Sequence, residues 1–385
     1  MKINDKKIET ILNRGVEEII VKEHLERTLR SGKKLRVKFG IDPTKPDIHF
    51  GHAVPLRKLR QFQELGHKVI LIIGDFTAQI GDPSGQSAER KSITEKEVKG
   101  NMKHYIAQAA KVIDIKKAEI RYNSQWHKKE GLSSMLEMAR AATFQQIIKR
   151  ADFQKRIEAG QDITLLEILY PLFQGYDSVK IKSDVEVGGT DQKFNLLMGR
   201  RVQRHFGQPE QDILTVPLME GTDGVRKMSK NYGNYVGLDE KPEEMFGKIM
   251  SVPDSLINKY FELLTDINPP KKLNSYKSKM LLAETIVGMY HSPTLAKKAQ
   301  EEWVRVFSKK EAPENTKELR IKNKELRIME LLIASGVSSK SEARRLIKQK
   351  AVKINDAVKD DSEEILKLKS GEIIKIGKHR FFKIV

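Results

Sequence analysis

Leu35-Arg36-Val37-Lys38-Phe39-Gly40-Ile41 runs into Asp42-Pro43-Thr44-Lys45-Pro46-Asp47-Ile48-His49-Phe50-Gly51-His52, then through Ala53 to Leu65, Gly66 and a second apolar run, Lys68 to Gly74. The two apolar runs have the length and β-branched content of strands, whereas Ala53 to Leu65 spaces its apolar residues as a helix face does. Strand, helix, strand with short connections is a βαβ unit, normally parallel and right-handed. Gly66 stands where a helix C-cap wants a residue without Cβ. His49 and His52 fall where the helix should begin, and a helix start offers unpaired N–H groups and a partial positive charge. Such a place suits a bound phosphate, so a nucleotide site is the first expectation.

Working outward, residues 1–34 read as helical, with Ile8, Ile11, Leu12, Val16, Ile19 and Ile20 able to share one face. Gly74-Asp75-Phe76-Thr77 leads to the turn-rich Gly81-Asp82-Pro83-Ser84-Gly85 at the carboxyl end of a strand, the edge where open parallel sheets bind ligands. Helical patterns follow over Thr94 to Val112 and Leu132 to Ile168, with strands near Glu119 to Tyr122, at Val185 to Gly189 and at Ile213 to Met219, and a helix beginning near Asp191. The alternation predicts an α/β, Rossmann-like doubly wound parallel sheet over 1–240. Gly221, Gly224 and Gly233 surround Arg226-Lys227-Met228-Ser229-Lys230 and permit that loop to move. Residues 241–307 read as a helical domain and the charge-dense 308–324 as a linker. Residues 325–385 read as a small α+β module, with helices at Leu326 to Ser335 and Ser339 to Gln349 and strands near Ala351 to Ile354 and Ile373 to Ile376.

The 385 residues are long for one core, and 39% hydrophobic content is ample for globular packing. With no cysteine, disulfides and thiolate metal sites are excluded, which fits a cytoplasmic protein. No apolar run reaches the length that spans a bilayer, so no membrane partner is expected. A net charge of +19 favours polyanions such as nucleic acid, with lysine enrichment for solubility as the other source of such an excess. Lys340, Arg344, Arg345, Lys348, Lys350 and Lys353 lie on and just after the second helix of the last module, a face able to track phosphates.

Taken alone, His49 and His52, three residues apart, could equally be capping or core histidines. A metal is the weaker use, because no glutamate follows in a zincin pattern. Lys227, Ser229 and Lys230 offer two movable cations and a hydroxyl, suited to charge developing on a leaving pyrophosphate, though a surface loop can carry lysines for no such reason.

Their order changes the reading. His49-Phe50-Gly51-His52 followed 175 residues later by Lys227-Met228-Ser229-Lys230 resembles the paired signatures of class I aminoacyl-tRNA synthetases. Gly40 to Thr44, Gly81 to Gly85, Tyr170-Pro171-Leu172-Phe173-Gln174-Gly175-Tyr176-Asp177 and Gly188-Gly189-Thr190-Asp191-Gln192 narrow this to the bacterial tyrosyl-tRNA synthetase family. Ser341 to Ile347 and Val352 to Asn355 resemble its ribosomal S-four-type RNA-binding tail.

The resemblance implies a tyrosine-tRNA ligase that makes tyrosyl-adenylate and pyrophosphate from L-tyrosine and ATP, then charges the 3′ end of tRNA(Tyr). It implies that His49 and His52 stabilise the α-phosphate, that Lys227 and Lys230 close on the pyrophosphate, and that Thr44 lies near the same phosphates. Gly51, Gly189, Asp191, Met228 and Ser229 would bind ATP, Asp191 through the ribose. Asp82, Tyr170 and Gln174 would take the tyrosine ammonium, with Thr77 and Gln192 nearby, and Asp177 the phenol. Lys340, Arg344, Arg345 and Lys348 would contact tRNA phosphates. Magnesium would arrive with ATP rather than in a protein cage, and a homodimer with its interface in 125–165 is expected. Position 38 is lysine where many members carry a phenol-contacting tyrosine; Asn231 replaces a serine, and Gln86 a phosphate-directed lysine whose role Arg90 or Lys91 could take. A tryptophanyl relative and a non-catalytic RNA-binding paralogue are the rivals.

Overall fold

In the computed structural model the described residues are 4–84, 93–308, 316–321, 325–355, 357–377 and 380–385. The chain forms two compact units, Met1–Ala296 and Lys297–Val385. The helices after Lys241 up to Ala296 therefore belong to the same unit as the sheet, whereas the sequence placed a domain change at 241.

The first unit is built on six strands: β1 (Glu18–Ile20), β2 (Arg36–Ile41), β3 (Lys68–Ile73), β4 (Glu119–Tyr122), β5 (Val185–Gly189) and β6 (Asp212–Val216). Their order is β1-β6-β5-β2-β3-β4, with every pairing parallel except β1 with β6. β3 reads KVILII and is almost wholly buried, as a strand covered on both faces must be. The helix Phe50–Glu64 joins β2 to β3, and Gly66 takes φ +88° just beyond it. From β2 the chain builds outward through β3 and β4, then returns to the other side of β2 with β5 and β6. The carboxyl ends of β2 and β5 thus form the topological switch point, where the crossover helices diverge and leave a crevice.

Two helices flank this crevice. Leu165–Ile181 opens with a capping box, Thr164 Oγ1 accepting from the Glu167 N–H and Glu167 from the Thr164 N–H, and packs against Lys193–His205. Ile70, Ile72, Trp126, Phe153, Leu172, Tyr176 and Val202 make the core between sheet and helices. Residues 1–34 are not one helical stretch: Asp5–Asn13 and Lys22–Arg30 are helices, but Glu18–Ile20 is extended and closes the sheet edge against β6. Gly15 and Val21, both at positive φ, bracket that strand, so edge pairing overrides a helical spacing of isoleucines.

The second unit holds β7 (Lys317–Leu319), β8 (Glu325–Arg327), β9 (Val352–Ile354), β10 (Ala357–Val358), β11 (Ile365–Lys367), β12 (Ile373–Ile376) and β13 (Arg380–Ile384). Five of them form a sheet in the order β10-β9-β12-β13-β7, and β11 pairs with β8. Helices Ile328–Ala334 and Lys340–Lys348 bury Ile328, Leu331, Leu332, Ala343 and Ile347 against Val352, Ile374 and Ile376. β7 lies inside the stretch read as a linker: a short polar segment gains its strand conformation from parallel pairing with β13, which no local periodicity announces. Among the described residues no helix is long and apolar enough to cross a membrane.

Candidate active site

At the switch point a cleft of about 320 Å³ opens between β2, β5 and the loop after β6. His49, His52, Thr44, Gly51, Gly189, Asp191, Met228, Ser229, Lys227, Lys230, Asp82, Tyr170, Gln174, Asp177, Gln192 and Thr77 all line it. Gly85, Gln86, Arg90 and Lys91 lie outside the described residues.

The histidines are set by the helix start itself. His49 is the N-cap of Phe50–Glu64, in extended conformation, and its Nδ1 accepts from the Gly51 N–H at 3.1 Å. His52 Nδ1 accepts from the His49 N–H at 3.3 Å. With both Nδ1 atoms used as acceptors, the hydrogen-bond network assigns the ring proton to Nε2 in each, giving two N–H donors from rings 4.0 Å apart. Burial lowers the His49 imidazole well below its usual range, helped by His52 and Lys230. Burial, then Lys230, brings His52 down to about 4. Both rings are therefore neutral donors at neutral pH. Gly51 has no room for a side chain, since a Cβ there would lie 2.9 Å from His49 Cε1.

The lysine loop follows β6 as a narrow hairpin. Glu220 and Lys227 form a bridge, and the Met228 N–H donates to the Met219 carbonyl at 2.7 Å. Buried Asn234 cinches it: its Nδ2 donates to Asp223, Arg226 O and Lys227 O, and its Oδ1 accepts from the Ser229 N–H at 2.8 Å. Gly221 is required beside it, because a Cβ would fall 2.3 Å from the Asn234 side chain. Ser229 in turn caps the short turn Lys230–Tyr232. Lys227 Nζ lies 3.3 Å from Asp191 Oδ2. Burial raises the Asp191 carboxyl while the Lys227 charge opposes. Lys230 donates to the Asp47 carbonyl and lies 3.5 Å from the Asp47 carboxylate. Burial lowers its ammonium and Asp47 opposes. Asn231, the departure from the usual signature, accepts from Lys45.

Loop and histidine stretch are also joined through the backbone. Residues 236–238, just past the hairpin, pair with 48–50: Phe50 N–H donates to Val236 O, Leu238 N–H to Ile48 O, both at 3.0 Å, and His49 bridges Gly237.

The cleft also carries a fixed array of acceptors. Asp177, nearly fully buried, accepts from Trp126 Nε1 at 2.9 Å and Asn123 Nδ2 at 3.2 Å, and lies 2.9 Å from His127 Nε2. His127 stacks on Phe76 and meets Phe173 edge-on, so its ring is packed on two sides. A carboxylate has about four lone-pair directions, which leaves Asp177 one to offer. Asp42 accepts from Thr77 Oγ1 at 2.8 Å and Tyr170 Oη at 3.0 Å, and Gly74 is forced beside it, a Cβ there lying 2.0 Å from Asp42 Oδ1. Asp82 accepts from Gln192 Nε2 at 2.6 Å and Asn195 Nδ2 at 3.3 Å. Arg150, buried and paired with Asp152, donates to Asn195 Oδ1 at 2.7 Å and to Ser84 Oγ at 3.0 Å. Thr44 turns the chain, its N–H donating to Asp42 O at 2.8 Å.

Sequence reasoning missed Asn123, Trp126, His127 and Asn195, which hold other side chains, and Asn234, which holds the loop backbone; none of them carries a motif. Glu186 carries a sequence signal of its own: a charged residue between the valines of VEVGG, beside Lys38 between Val37 and Phe39 in the paired strand β2. Lys340, Arg344, Arg345 and Lys348 are exposed on the second helix of the other unit, while Ala343 and Ile347 face its core. Among the described residues no group of three or more His, Asp and Glu side chains could hold a metal ion.

Residues 30–308 match the family described as tRNA synthetases class I (W and Y), and 326–374 match the S4 domain. The chain is 46% identical to the tyrosine--tRNA ligase of Dehalococcoides mccartyi (strain CBDB1) over 100% of both chains. It is 46% identical to that of Aquifex aeolicus over 97% of each. Among solved structures, the tyrosyl-tRNA synthetase of Archaeoglobus fulgidus complexed with L-tyrosine has the same fold, with a TM-score of 0.62 at 21% identity over 77% of this chain and 99% of that one.

Proposed function

The chain belongs to the class I tRNA synthetases of the W and Y group, and from that premise we propose that it is a tyrosine-tRNA ligase, which activates L-tyrosine with ATP and transfers it to tRNA(Tyr). One observation carries the reading: two Nε2–H imidazoles and two ammonium groups line the same cleft as Asp82, Gln174 and Asp177.

The tyrosine carboxylate attacks the α-phosphorus of ATP, and the bond to the bridging oxygen of pyrophosphate breaks. The Nε2–H donors of His49 and His52 meet the α-phosphate oxygens, with Thr44 beside them. Charge on the departing pyrophosphate falls to Lys227 and Lys230, which must leave Asp191 and Asp47 to follow it; interactions made only then lower the barrier. Asp191 accepts from the ribose, and Gly51, Gly189, Met228 and Ser229 let adenosine lie against the backbone. Asp82, Tyr170 and Gln174 receive the ammonium, Thr77 and Gln192 support them, and Asp177 accepts from the phenol with its free lone pair. Magnesium would come with ATP rather than sit in a cage of protein ligands, and would supply charge neutralisation at the phosphates.

Lys340, Arg344, Arg345 and Lys348 track tRNA phosphates, and the helices of 241–307 serve the anticodon stem. Leu132, Leu136 and Phe144, each more than half exposed, together with Leu165 at 77%, support a homodimer that covers them. The work of translation places the protein in the cytoplasm. Tyrosine-dependent exchange of labelled pyrophosphate into ATP tests the assignment: exchange driven by tryptophan instead, or no exchange, overturns it.

A further inference from the structure

Lys38 and Glu186 are both 0% exposed, in adjacent parallel strands whose register sets them side by side, and their charged groups lie 2.8 Å apart. Lys38 also donates to Ser178 Oγ at 2.8 Å and to the Gln174 carbonyl at 3.0 Å, so its three N–H bonds are all used. Glu186 accepts from Ser178 Oγ at 3.2 Å, from Gln211 Nε2 and from Gln174 Nε2 at 3.4 Å. Gln174 and Glu186 line the cleft, whereas Lys38 lies behind them. The lysine that replaces a phenol-contacting tyrosine therefore answers an acid and does not face the ligand.

A glutamine amide offers a donor on one side and an acceptor on the other. A carboxylate can only accept, so Glu186 draws Nε2 toward the sheet and leaves Oε1 for the cleft. That sense of the amide suits a ligand ammonium; the reverse would point two N–H groups at it. Lys38 is needed in turn, because a lone carboxylate at the centre of a sheet is costly and gives way to its protonated, donating form.

We propose that Glu186, balanced by Lys38, is a positioning residue that fixes the Gln174 amide as an acceptor and so sets the affinity for the amino group of the amino-acid substrate. This rests on the reading of Gln174 as an ammonium contact. The test compares calorimetric Kd values for L-tyrosine and for 3-(4-hydroxyphenyl)propionate, which lacks only the ammonium, on the full chain as wild type, Glu186→Gln and the double variant Lys38→Met/Glu186→Leu. The double variant removes both charges together, so it keeps a folded sheet if the single one does not. Each folded variant should bind tyrosine about 10- to 100-fold more weakly, the range for a hydrogen bond to a charged group, while binding the propionate as wild type does. Equal losses for both ligands, or undiminished tyrosine binding, would overturn the inference. A wild-type protein that fails to bind tyrosine would overturn the underlying reading of the cleft instead.

Discussion

Asp177 and Lys227 line the same cleft and each have partners within hydrogen-bonding or ion-pairing distance, but the partners differ in kind. Those of Asp177 are Trp126, His127 and Asn123, which hold it from behind and have no substrate to meet. Lys227 rests on Asp191, and Lys230 on Asp47, groups at the edge of the space that ATP would fill. One group is a set of acceptors aimed in advance; the other is a set of charges on loan to neighbours that can be exchanged. Selection among similar amino acids needs the first, because an unmatched buried acceptor is what rejects the wrong ligand. Chemistry needs the second, because stabilisation present before the reaction does not lower its barrier.

Substitution in the exchangeable group should have the largest effect. Lys230→Ala is expected to lower kcat for pyrophosphate exchange by about 10²- to 10³-fold, the scale of losing one electrostatic stabiliser, with tyrosine Kd unchanged. A parallel loss of tyrosine binding would break the contrast between the two groups. Asp177→Ala should act the other way, lowering the preference for tyrosine over phenylalanine by about 10- to 100-fold in kcat/KM. An unchanged ratio would remove the phenol role. The smallest effect concerns the neutral histidines. The folded state keeps His52 uncharged down to about pH 4, whereas the unfolded chain takes up its proton near 6.5. Between those values the unfolded state binds more protons, so stability falls as pH drops from 6.5 toward 4. His52→Gln should flatten that slope by at most one proton, about 1.4 kcal/mol per pH unit, in denaturant titrations from pH 7 to 4. An identical slope in both proteins would mean the ring is not held neutral.

Much of this was legible from the chain. The βαβ unit from Leu35 to Gly74 has strong period signals, and most of the polar residues expected in the site carry motif words, whereas Tyr105 and Glu186, which also line the cleft, do not. What escaped was of two sorts. β1 and β7 are short edge segments whose conformation comes from β6 and β13, partners almost 200 and more than 60 residues away in sequence, so local spacing could only mislead or stay silent. Trp126, His127 and Asn195 support other side chains and Asn234 the loop backbone, and a supporting residue is chosen by geometry that exists only after folding. Lys38 and Glu186 lie between these cases: two opposite charges in apolar strands predict a buried pair, once the strands are known to be neighbours.

The pairing of 48–50 with 236–238 bears on when the site's entropy is spent. The His49–Gly237 bridge joins positions 237 − 49 = 188 residues apart, just beyond the lysine signature, and closing a loop of that length costs on the order of 5 kcal/mol of chain freedom. That cost is settled once, as the protein folds. Each turnover begins with the two ends of a very long loop already side by side, so the encounter of histidine and lysine groups behaves as a unimolecular event, and binding energy from the ligand need not assemble them.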